Sequence, residues 1–343
     1  MLNISNLLSF ILNGHKINRN EAEFLVSENT DLWDILHGAN QLRRHFKGDT
    51  IGLCSIINAK SGACAEDCKF CAQSSHHSTN VKTYPLVDKT ELVKGYERTR
   101  QIGANGFSIV TSGNELSDDD FDSLCQMSRE LITTYPAVSG TSPSSSAEDH
   151  STPYLCASLG QLTVSQARKL KEAGMRKCHH NLETSERFFP QICTTHSYQE
   201  RLDTIKNLKE AGLFVCSGGI FGMGETWSDR IDLAFTMRDL NVDSIPLNFL
   251  MPVKGTVLAD YSSLPPLEIL RTIALFRYVL PDKNIRICAG REKNLRDLQS
   301  WIFYAGADGM MIGGYLTQPG RSAEDDIRML KDLGLKFNHT PLF

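Results

Sequence analysis

Three cysteines lie close together in the segment SGACAEDCKFCAQSS (61–75). Cys64, Cys68 and Cys71 form a C-x₃-C-x₂-C triplet, and this spacing allows three thiolates to bind three irons of one cubane cluster. Three thiolates on a four-iron cluster leave one iron open to a substrate or cosubstrate. The triplet therefore predicts an iron–sulfur centre that takes part in a reaction.

Zinc is the alternative ligand of such a triplet. A structural zinc site needs a fourth Cys or His and usually has paired C-x₂-C knuckles, which this segment does not supply. His76 and His77 are the available candidates for a fourth ligand. We favour the iron–sulfur interpretation.

The composition limits where the protein works and what it binds. The 343 residues include ten cysteines, 36 Lys+Arg and 40 Asp+Glu, with a net charge of −4, which gives no electrostatic case for nucleic acid or an anionic membrane. No apolar run approaches the length of a membrane span, and the N-terminus lacks a basic segment followed by a cleavage site. We expect a cytoplasmic protein, where clustered thiols indicate metal or catalysis more often than disulfides.

A weak internal repeat indicates the elements that position the triplet. IGANGF, AGMRKC, AGLFVC and AGADGM each follow an amphipathic stretch with a glycine suited to a helix C-terminus and then a short strand-like run. Alternating helices and strands imply a parallel sheet with right-handed crossovers, and eight such units favour an α/β fold of the closed (β/α)₈ barrel type. The predicted strands are 51–58, 106–112, 153–158, 176–181, 213–220, 243–249, 284–289 and 308–312.

Three segments of the chain follow from this pattern. Residues 1–45 are predicted to form an N-terminal helical cap, residues 46–335 the barrel and residues 336–343 a C-terminal tail. The Ser/Pro-rich stretch at 139–153 has almost no apolar content, which predicts a surface loop.

The triplet, with Phe70 before its last cysteine, resembles the signature of the radical S-adenosylmethionine (SAM) superfamily. The resemblance extends over residues 50 to 335 through nine blocks in the order found in the biotin synthase family: GACAEDCKFCAQSS, CASLG, HHNLETS, TTHSYQERLDT, VCSGGIFGMGETWSDR, IPLNFL, KGTVLAD, RTIALFR and ICAGRE.

This resemblance implies a complete reaction. A [4Fe–4S] cluster on Cys64, Cys68 and Cys71 binds SAM and cleaves it to methionine and a 5′-deoxyadenosyl radical, which removes hydrogens from two saturated carbons of dethiobiotin. An auxiliary iron–sulfur cluster, [2Fe–2S] in the well-known pattern, donates the sulfur that makes biotin. A flavodoxin- or ferredoxin-type electron donor and a homodimer are also expected. An enclosed cavity protects such a radical from side reactions.

The auxiliary cluster is where this sequence departs from the family pattern of three cysteines and one arginine on four strands. Cys156, Cys216 and Arg286 match that pattern, but Ser108 stands where the family has its remaining cysteine. Cys54, on the first strand, stands where the family commonly has serine.

The layer rule of barrels gives this exchange a physical meaning. Side chains of one interior layer come from alternate strands, and Cys54, Cys156, Cys216 and Arg286 fall on predicted strands one, three, five and seven. We therefore predict that Cys54 replaces the missing ligand and that the cluster is a [2Fe–2S] or a larger variant. The alternative is that Cys54 is a small buried apolar residue. Cys288, two residues beyond Arg286 on the same strand face, is a further candidate.

Polar residues at the strand ends are candidates for binding SAM and dethiobiotin. In HHNLETS, strand alternation sends His179, Asn181 and Glu183 to one face. The resemblance implies SAM contacts for Asn181, Glu183 and Arg201, and substrate contacts for His179, Asn181 and Asn248. His179 and Glu183 differ from the family's Asn and Asp.

The remaining cysteines are predicted to be structural or have no assigned role. Cys125 lies in a helical pattern and Cys178 alternates away from the inward face, so both are expected in the core. Cys193 lies on a predicted loop.

Two alternatives to this function stay open at this point. One is another radical SAM barrel, of the hydrogenase-cluster maturase or methylornithine synthase type, against which the set Cys156, Cys216 and Arg286 argues. The other is a non-catalytic iron–sulfur sensor, which would not need Asn181 and Asn248.

Overall fold

A closed barrel of parallel strands forms the centre of the molecule. The computed structural model describes residues 3–136, 152–317 and 320–337. Eight strand positions close the barrel because β1 pairs in parallel with both β2 and β9, and β5 and β6 occupy one position beside β7. The strands are β1 Thr50–Lys60, β2 Gly106–Thr111, β3 Tyr154–Ser158, β4 Met175–His179, β5 Phe214–Cys216, β6 Gly219–Phe221, β7 Ser244–Phe249, β8 Asn284–Ile287, β9 Gly309–Met311 and β10 Lys336–Phe337. The predicted (β/α)₈ fold is confirmed.

Helices form a layer around the barrel. They are α1 Ile4–Leu12, α2 Arg19–Val26, α3 Leu32–Lys47, α4 Lys89–Gln101, α5 Asp118–Thr134, α6 Val164–Glu172, α7 Tyr198–Glu210, α8 Trp227–Asp239, α9 Pro266–Val279, α10 Arg291–Leu295, α11 Trp301–Tyr304 and α12 Ala323–Asp332, with 3₁₀ turns at Phe189–Gln191 and Arg296–Leu298. Thr163, Ser197 and Thr226 begin α6, α7 and α8 with capping boxes, which satisfy the first free N–H groups of each helix. No helix among the described residues is long and apolar enough to cross a bilayer.

The N-terminal residues are helical, as the sequence predicts. Helix α1 packs on α3, α2 packs on α8 and α9, and α3 packs on α9 and α11 of the outer layer. The Tyr278 hydroxyl donates to the Ile35 carbonyl at 3.3 Å. These helices therefore extend the outer layer.

The alternation of side chains divides each strand into two faces. Leu53, Phe107 and Leu155 are buried against the helices, while Cys54 and Cys156 on the same strands face the barrel interior. Because neighbouring residues of a strand point to opposite sides, the apolar outer face builds the core and leaves the inner face for polar groups and thiols.

One predicted strand differs from the observed structure. The stretch 213–220 was expected to be continuous, but it divides into β5 and β6 at Ser217–Gly218. A side chain at Gly218 would approach the Pro246 carbonyl oxygen to 1.9 Å, so the backbone lies too close to β7 for any other residue. The break frees the Gly218 amide to donate to Asn181 Oδ1 at 3.1 Å.

The ends of the chain add little that bears on the site. The short strand β10, in the predicted tail, pairs with the start of β1 through Thr50 and Ile51. The predicted loop at 139–153 lies outside the described residues apart from its last two, and so does the tail beyond residue 337.

Candidate functional site

The barrel encloses one cavity that receives residues from every strand position. Its volume is about 370 Å³, a size typical of small-molecule sites. Strands contribute their inward residues, and the loop after β1 contributes Phe70 and Cys71. The sequence-predicted residues that line it are Cys54, Cys71, Ser108, Cys156, His179, Asn181, Glu183, Cys216, Asn248, Arg286 and Cys288.

The cysteine triplet lies on the loop between β1 and α4. Cys64 and Cys68 are 9% and 8% exposed, and Cys71 is half-buried beside the cavity. The Cys71 amide donates to the Cys68 carbonyl at 2.9 Å, and the Ser75 amide donates to the Cys64 carbonyl at 2.7 Å. These bonds fold the loop back on itself. The backbone groups of the loop therefore bond to one another, and the thiols stay available to bind metal.

A second loop, which precedes α7, holds the cysteine loop in place. Asp67 Oδ1 accepts from the amides of Thr194 at 2.8 Å and Thr195 at 3.3 Å, and the Lys69 amide donates to the Ile192 carbonyl at 2.9 Å. Burial would raise the pKa of Asp67, but the hydrogen bonds from Thr194 and Thr195 hold it well below its usual range. Asp67 is therefore a charged anchor at neutral pH.

Two thiols of the triplet, Cys68 and Cys71, favour the protonated form when no metal is bound. Burial raises the pKa of the Cys71 thiol to about 11, and a hydrogen bond with Cys193, together with burial, raises the pKa of Cys68. Thiolates are the form that binds metal, so metal binding here releases protons.

The two histidines considered as zinc ligands are engaged elsewhere. His76 Nε2 lies 2.9 Å from the Ala65 carbonyl, and His77 Nδ1 lies 2.8 Å from the Cys71 carbonyl. A carbonyl oxygen only accepts, so each of these nitrogens carries its proton. Within the described residues, the cluster of possible metal ligands is instead Cys68, Cys193 and His196. The sequence analysis assigned no role to Cys193 and did not consider His196.

A second group of thiols lies on the barrel strands. Cys54, Cys156, Cys216 and Cys288 all line the cavity. A hydrogen bond from Cys288 lowers the pKa of Cys54 to about 6 against the effect of burial, with further help from Arg286, whereas burial raises the pKa of Cys156 to about 12. Cys54 is therefore the member of this group most readily ionised.

Arg286 lies among these thiols with part of its guanidinium unpartnered. Its Nη2 is 3.5 Å from the Tyr154 hydroxyl, while Nε and Nη1 are buried and have no hydrogen-bond partner in the described part of the chain. A side chain at Gly52 would meet Arg286 Nη2 at 2.7 Å, and one at Gly309 would meet its Cγ at 2.9 Å. Two paired glycines therefore make room for a buried cation whose free donors suit an anionic group.

Lys177 is a second buried cation in the same region, and the sequence analysis missed it. Its Nζ lies 3.4 Å from the Tyr154 hydroxyl and 5.0 Å from the centre of that ring. Burial would lower the pKa of Lys177, but interactions with the anionic forms of Tyr154, Cys156 and Cys216 raise it. The sequence carries a signal for this residue. Lys177, His179 and Asn181 are spaced two residues apart, which places them on the same strand face.

Ser108 faces the same cavity. On β2 it pairs in register with Cys156 of β3 and Ile56 of β1. It therefore lies beside the strand thiols without supplying one.

The end of β4 brings together the residues predicted to contact SAM. Asn181 Nδ2 donates to Glu183 Oε2 at 3.1 Å, and Arg201 Nη1 donates to the Asn181 carbonyl at 2.8 Å while lying 3.8 Å from Glu183 Oε1. Glu183 has a φ of 69°, a left-handed conformation that is costly for this residue type and turns the chain at the end of β4. The hydrogen bond from Gly218 fixes the amide orientation of Asn181.

Asn248 and His179 complete the predicted substrate residues. Asn248 donates from Nδ2 to the Gly219 carbonyl at 3.2 Å and accepts at Oδ1 from the Ala289 amide at 3.0 Å, which leaves one N–H to face the cavity. Burial lowers the pKa of His179, so its ring is neutral at pH 7.

The other predicted structural cysteines lie outside this cavity. Cys125 on α5 and Cys178 on β4 are each 1% exposed and belong to the hydrophobic core. Alternation on β4 places Cys178 on the outer face, as predicted.

Two family models match the chain. Residues 59–237 match the radical SAM superfamily, and residues 246–336 match the biotin and thiamin synthesis associated domain. The first spans the cysteine loop and strands β2 to β6, and the second contains Asn248, Arg286 and Cys288.

Curated relatives and solved structures agree with these matches. The chain is 49% identical over 339 residues to the biotin synthase of Endomicrobium trichonymphae, covering 98% of this chain and 100% of that protein. It is 47% identical over 334 residues to the biotin synthase of Geobacter metallireducens, covering 97% of each chain. A crystal structure of methylornithine synthase superposes with a TM-score of 0.80 over 96% of each chain at 18% identity, which supports the fold alone.

Proposed function

The chain belongs to the biotin synthase family of radical SAM sulfurtransferases, and we propose which of its residues carry each part of the conversion of dethiobiotin to biotin. The observation that carries this assignment is that Cys71 of the loop triplet and the strand thiols Cys54, Cys156, Cys216 and Cys288 line one cavity inside the barrel. A radical source and a sulfur source then act on the same bound substrate without exposure to solvent.

The loop thiols Cys64, Cys68 and Cys71 hold the [4Fe–4S] cluster, which supplies, when bound, the electron that cleaves SAM. With three protein ligands, one iron remains open for the amino and carboxylate groups of SAM. The burial of Cys64 and Cys68 and the backbone bonds within the loop support this assignment.

Asn181, Glu183 and Arg201 bind SAM. Their contacts place the Glu183 carboxylate and the Asn181 amide at one side of the cavity, with the Arg201 guanidinium directly behind them. The carboxylate suits ribose hydroxyls, and the guanidinium suits the carboxylate of methionine.

The strand thiols Cys54, Cys156 and Cys216, with Arg286, hold the auxiliary cluster that supplies the sulfur. Cys54 takes the place of the ligand lost at Ser108, and its lowered pKa supports this role. The orphaned donors of Arg286 support the presence of an anion there.

The charges around the cavity support a fourth thiolate on the auxiliary cluster. Arg286 and Lys177 bring two positive charges, while Glu183 is the only carboxylate among the described residues that line the cavity. A doubly charged core with three thiolates has one net negative charge, and a fourth thiolate adds another. Cys288 is the thiol available for that position.

Dethiobiotin lies between the two clusters, held by Asn248 and His179. The free N–H of Asn248 donates to the ureido carbonyl of the substrate. The neutral ring of His179 offers one donor and one acceptor.

The cellular setting completes the proposal. The enzyme works in the cytoplasm as a homodimer and receives electrons from a flavodoxin- or ferredoxin-type protein. The family resemblance supports these partners.

Anaerobic reconstitution tests the whole assignment. The reconstituted chain should contain both clusters by iron and sulfide analysis, and mass spectrometry should detect 5′-deoxyadenosine and biotin after turnover with SAM and dethiobiotin. A well-loaded enzyme that yields neither product would refute it.

The role of Cys54 needs its own variant. Cys54→Ala should lose the auxiliary iron and biotin formation while the SAM cluster and 5′-deoxyadenosine remain. Cys178→Ala is the control, because Cys178 is a thiol on a strand of the same barrel but lies outside the cavity. Iron content equal to the parent in Cys54→Ala would contradict the role.

A further inference from the structure

A buried thiol that is not part of the triplet lies against one of its members. Cys193 follows the 3₁₀ turn Phe189–Gln191, and its Sγ lies 3.6 Å from Cys68 Sγ, within hydrogen-bonding distance for sulfur. Cys193 is 3% exposed and His196, three residues later, is 7% exposed. The fold thus brings a Cys–His pair from a separate loop against a cluster ligand.

The neighbours of His196 determine where its proton lies. Arg201 Nε, which only donates, bonds His196 Nε2 at 3.0 Å, so Nε2 is the accepting nitrogen and Nδ1 carries the proton. Nδ1 contacts the Glu66 carboxylate and lies 3.3 Å from Cys193 Sγ. The single Nδ1 proton therefore goes mainly to the Glu66 carboxylate, with Cys193 Sγ as a longer second acceptor, and the thiol hydrogen of Cys193 is left free for another acceptor.

Cluster binding changes the hydrogen bond between the two sulfurs. As a ligand to iron, Cys68 has no S–H and can only accept, so any hydrogen between the two sulfur atoms must come from Cys193. Hydrogen bonds to cluster sulfurs stabilise negative charge on the cluster and so favour its reduced state.

We propose that Cys193, oriented by His196 and Glu66, is a positioning residue that donates a thiol hydrogen bond to the sulfur of Cys68 and raises the reduction potential of the SAM cluster. The proposal rests on the assignment of Cys68 to that cluster. It gives a role to the one cysteine for which the sequence offers none.

The same group of residues connects the cluster ligand with the proposed SAM site. Arg201, which bonds His196 through Nε, bonds the Asn181 carbonyl through Nη1 at 2.8 Å. A continuous chain of hydrogen bonds therefore runs from Asn181 to Cys193. The binding of SAM and the potential of the cluster are linked through this chain.

A redox titration of the holoenzyme followed by electron paramagnetic resonance tests the proposal. Cys193→Ala should keep the iron content of the parent but shift the midpoint potential of the SAM cluster to a more negative value, with SAM cleavage slowed on the order of 10-fold. Cys193→Ser keeps a donor and should recover part of the shift. Cys125→Ala is the matched control, since Cys125 is a buried thiol on α5, remote from the cavity.

A second variant tests the proposal even if Cys193→Ala fails to fold. His196→Ala leaves Cys193 in place but removes its support, and should shift the potential in the same direction by a smaller amount. An unchanged potential in both variants, with the cluster intact, would overturn the proposal. Loss of one mononuclear zinc or iron ion per chain in Cys193→Ala alone would also overturn it, because Cys193 would then be a ligand itself.

A wrong assignment of Cys68 to the SAM cluster would give a different experimental result. If Cys68 does not hold the SAM cluster, the parent and Cys68→Ala will show the same four-iron signal. That result concerns the proposed function, whereas an unchanged potential with a normal signal concerns only Cys193.

Discussion

The loop triplet, which reaches the cavity through Cys71, and the strand thiols that line it are held by different means. Cys64, Cys68 and Cys71 lie on a loop whose shape depends on its own backbone bonds and on contacts with the loop before α7. Cys54, Cys156 and Cys216 lie on strands, where the register of the sheet determines their positions. A loop can open around an exchangeable ligand such as SAM, whereas a strand register cannot shift without turning its side chains outward.

The charged residues around the two groups of thiols also differ. Lys177 and Arg286 lie beside the strand thiols, while the carboxylates Glu66 and Asp67 lie in the triplet loop itself. The strand region is preorganised for a strongly anionic cluster, because its buried cations need a counter-charge. The loop region depends on metal binding to displace the thiol protons.

The largest effect that separates the two regions should come from Cys68→Ala. The loop loses a ligand, so SAM cleavage should become undetectable, whereas the auxiliary iron should remain because no strand residue changes. Iron analysis with electron paramagnetic resonance distinguishes the clusters, and Cys125→Ala serves as the control. Simultaneous loss of both clusters would show that the two regions assemble as one unit.

Lys177→Met tests the importance of charge in the strand region. Methionine retains most of the buried length but removes the ammonium, so the auxiliary cluster loses one of its two cationic neighbours. We expect a roughly 10- to 100-fold loss in auxiliary iron affinity or biotin formation, with 5′-deoxyadenosine formation unchanged. Lys177→Arg should recover part of the loss. Equal losses in Lys177→Met and Lys177→Arg would show that Lys177 acts through its packing rather than its charge.

Gly52→Ala tests the space around Arg286. The added methyl group would lie 2.7 Å from Arg286 Nη2, so the guanidinium must move away from β1 while keeping its charge. We expect biotin formation to fall on the order of 10-fold and the SAM cluster to stay intact. Thr50→Ala, at an exposed position at the start of β1, controls for a general effect of substitution in this part of the strand. Parent-like turnover in Gly52→Ala would show that Arg286 is free to adjust.

The sequence predicts the barrel well because its repeat is local. Each helix that ends at a glycine before a short apolar strand carries its own signal, as at AGMRKC and AGLFVC. The break between β5 and β6 was not predicted, because it arises from the approach of Gly218 to the Pro246 carbonyl on the neighbouring strand. Contacts between strands far apart in sequence leave no local pattern.

The same distinction applies to the site. Alternation along single strands, with the layer rule, predicts that Cys54, Cys156, Cys216 and Arg286 face one interior. The contact between Cys193 and Cys68 joins residues 125 positions apart through two irregular loops, and periodicity does not predict such a contact. Lys177 was predictable in the same way, because it lies two residues before His179 on β4 and so on the same strand face.

The smallest expected effect concerns the anchor of the triplet loop. Asp67→Asn keeps an oxygen for the Thr194 amide but removes the charge and the acceptor of the Thr194 hydroxyl, at a cost of roughly 1–3 kcal/mol in loop stability. Because the folded pKa of Asp67 is lowered, its stabilisation is present above the ordinary carboxyl pKa and is lost as the pH falls through the folded value. The SAM cluster of Asp67→Asn should therefore lose iron to a chelator faster than the parent at pH 7, and this difference should shrink in acid.

The auxiliary cluster should lose iron at an unchanged rate, and Asp203→Asn on the exposed face of α7 should match the parent. If both clusters lose iron faster, the anchor stabilises the whole barrel and the two regions are not held independently.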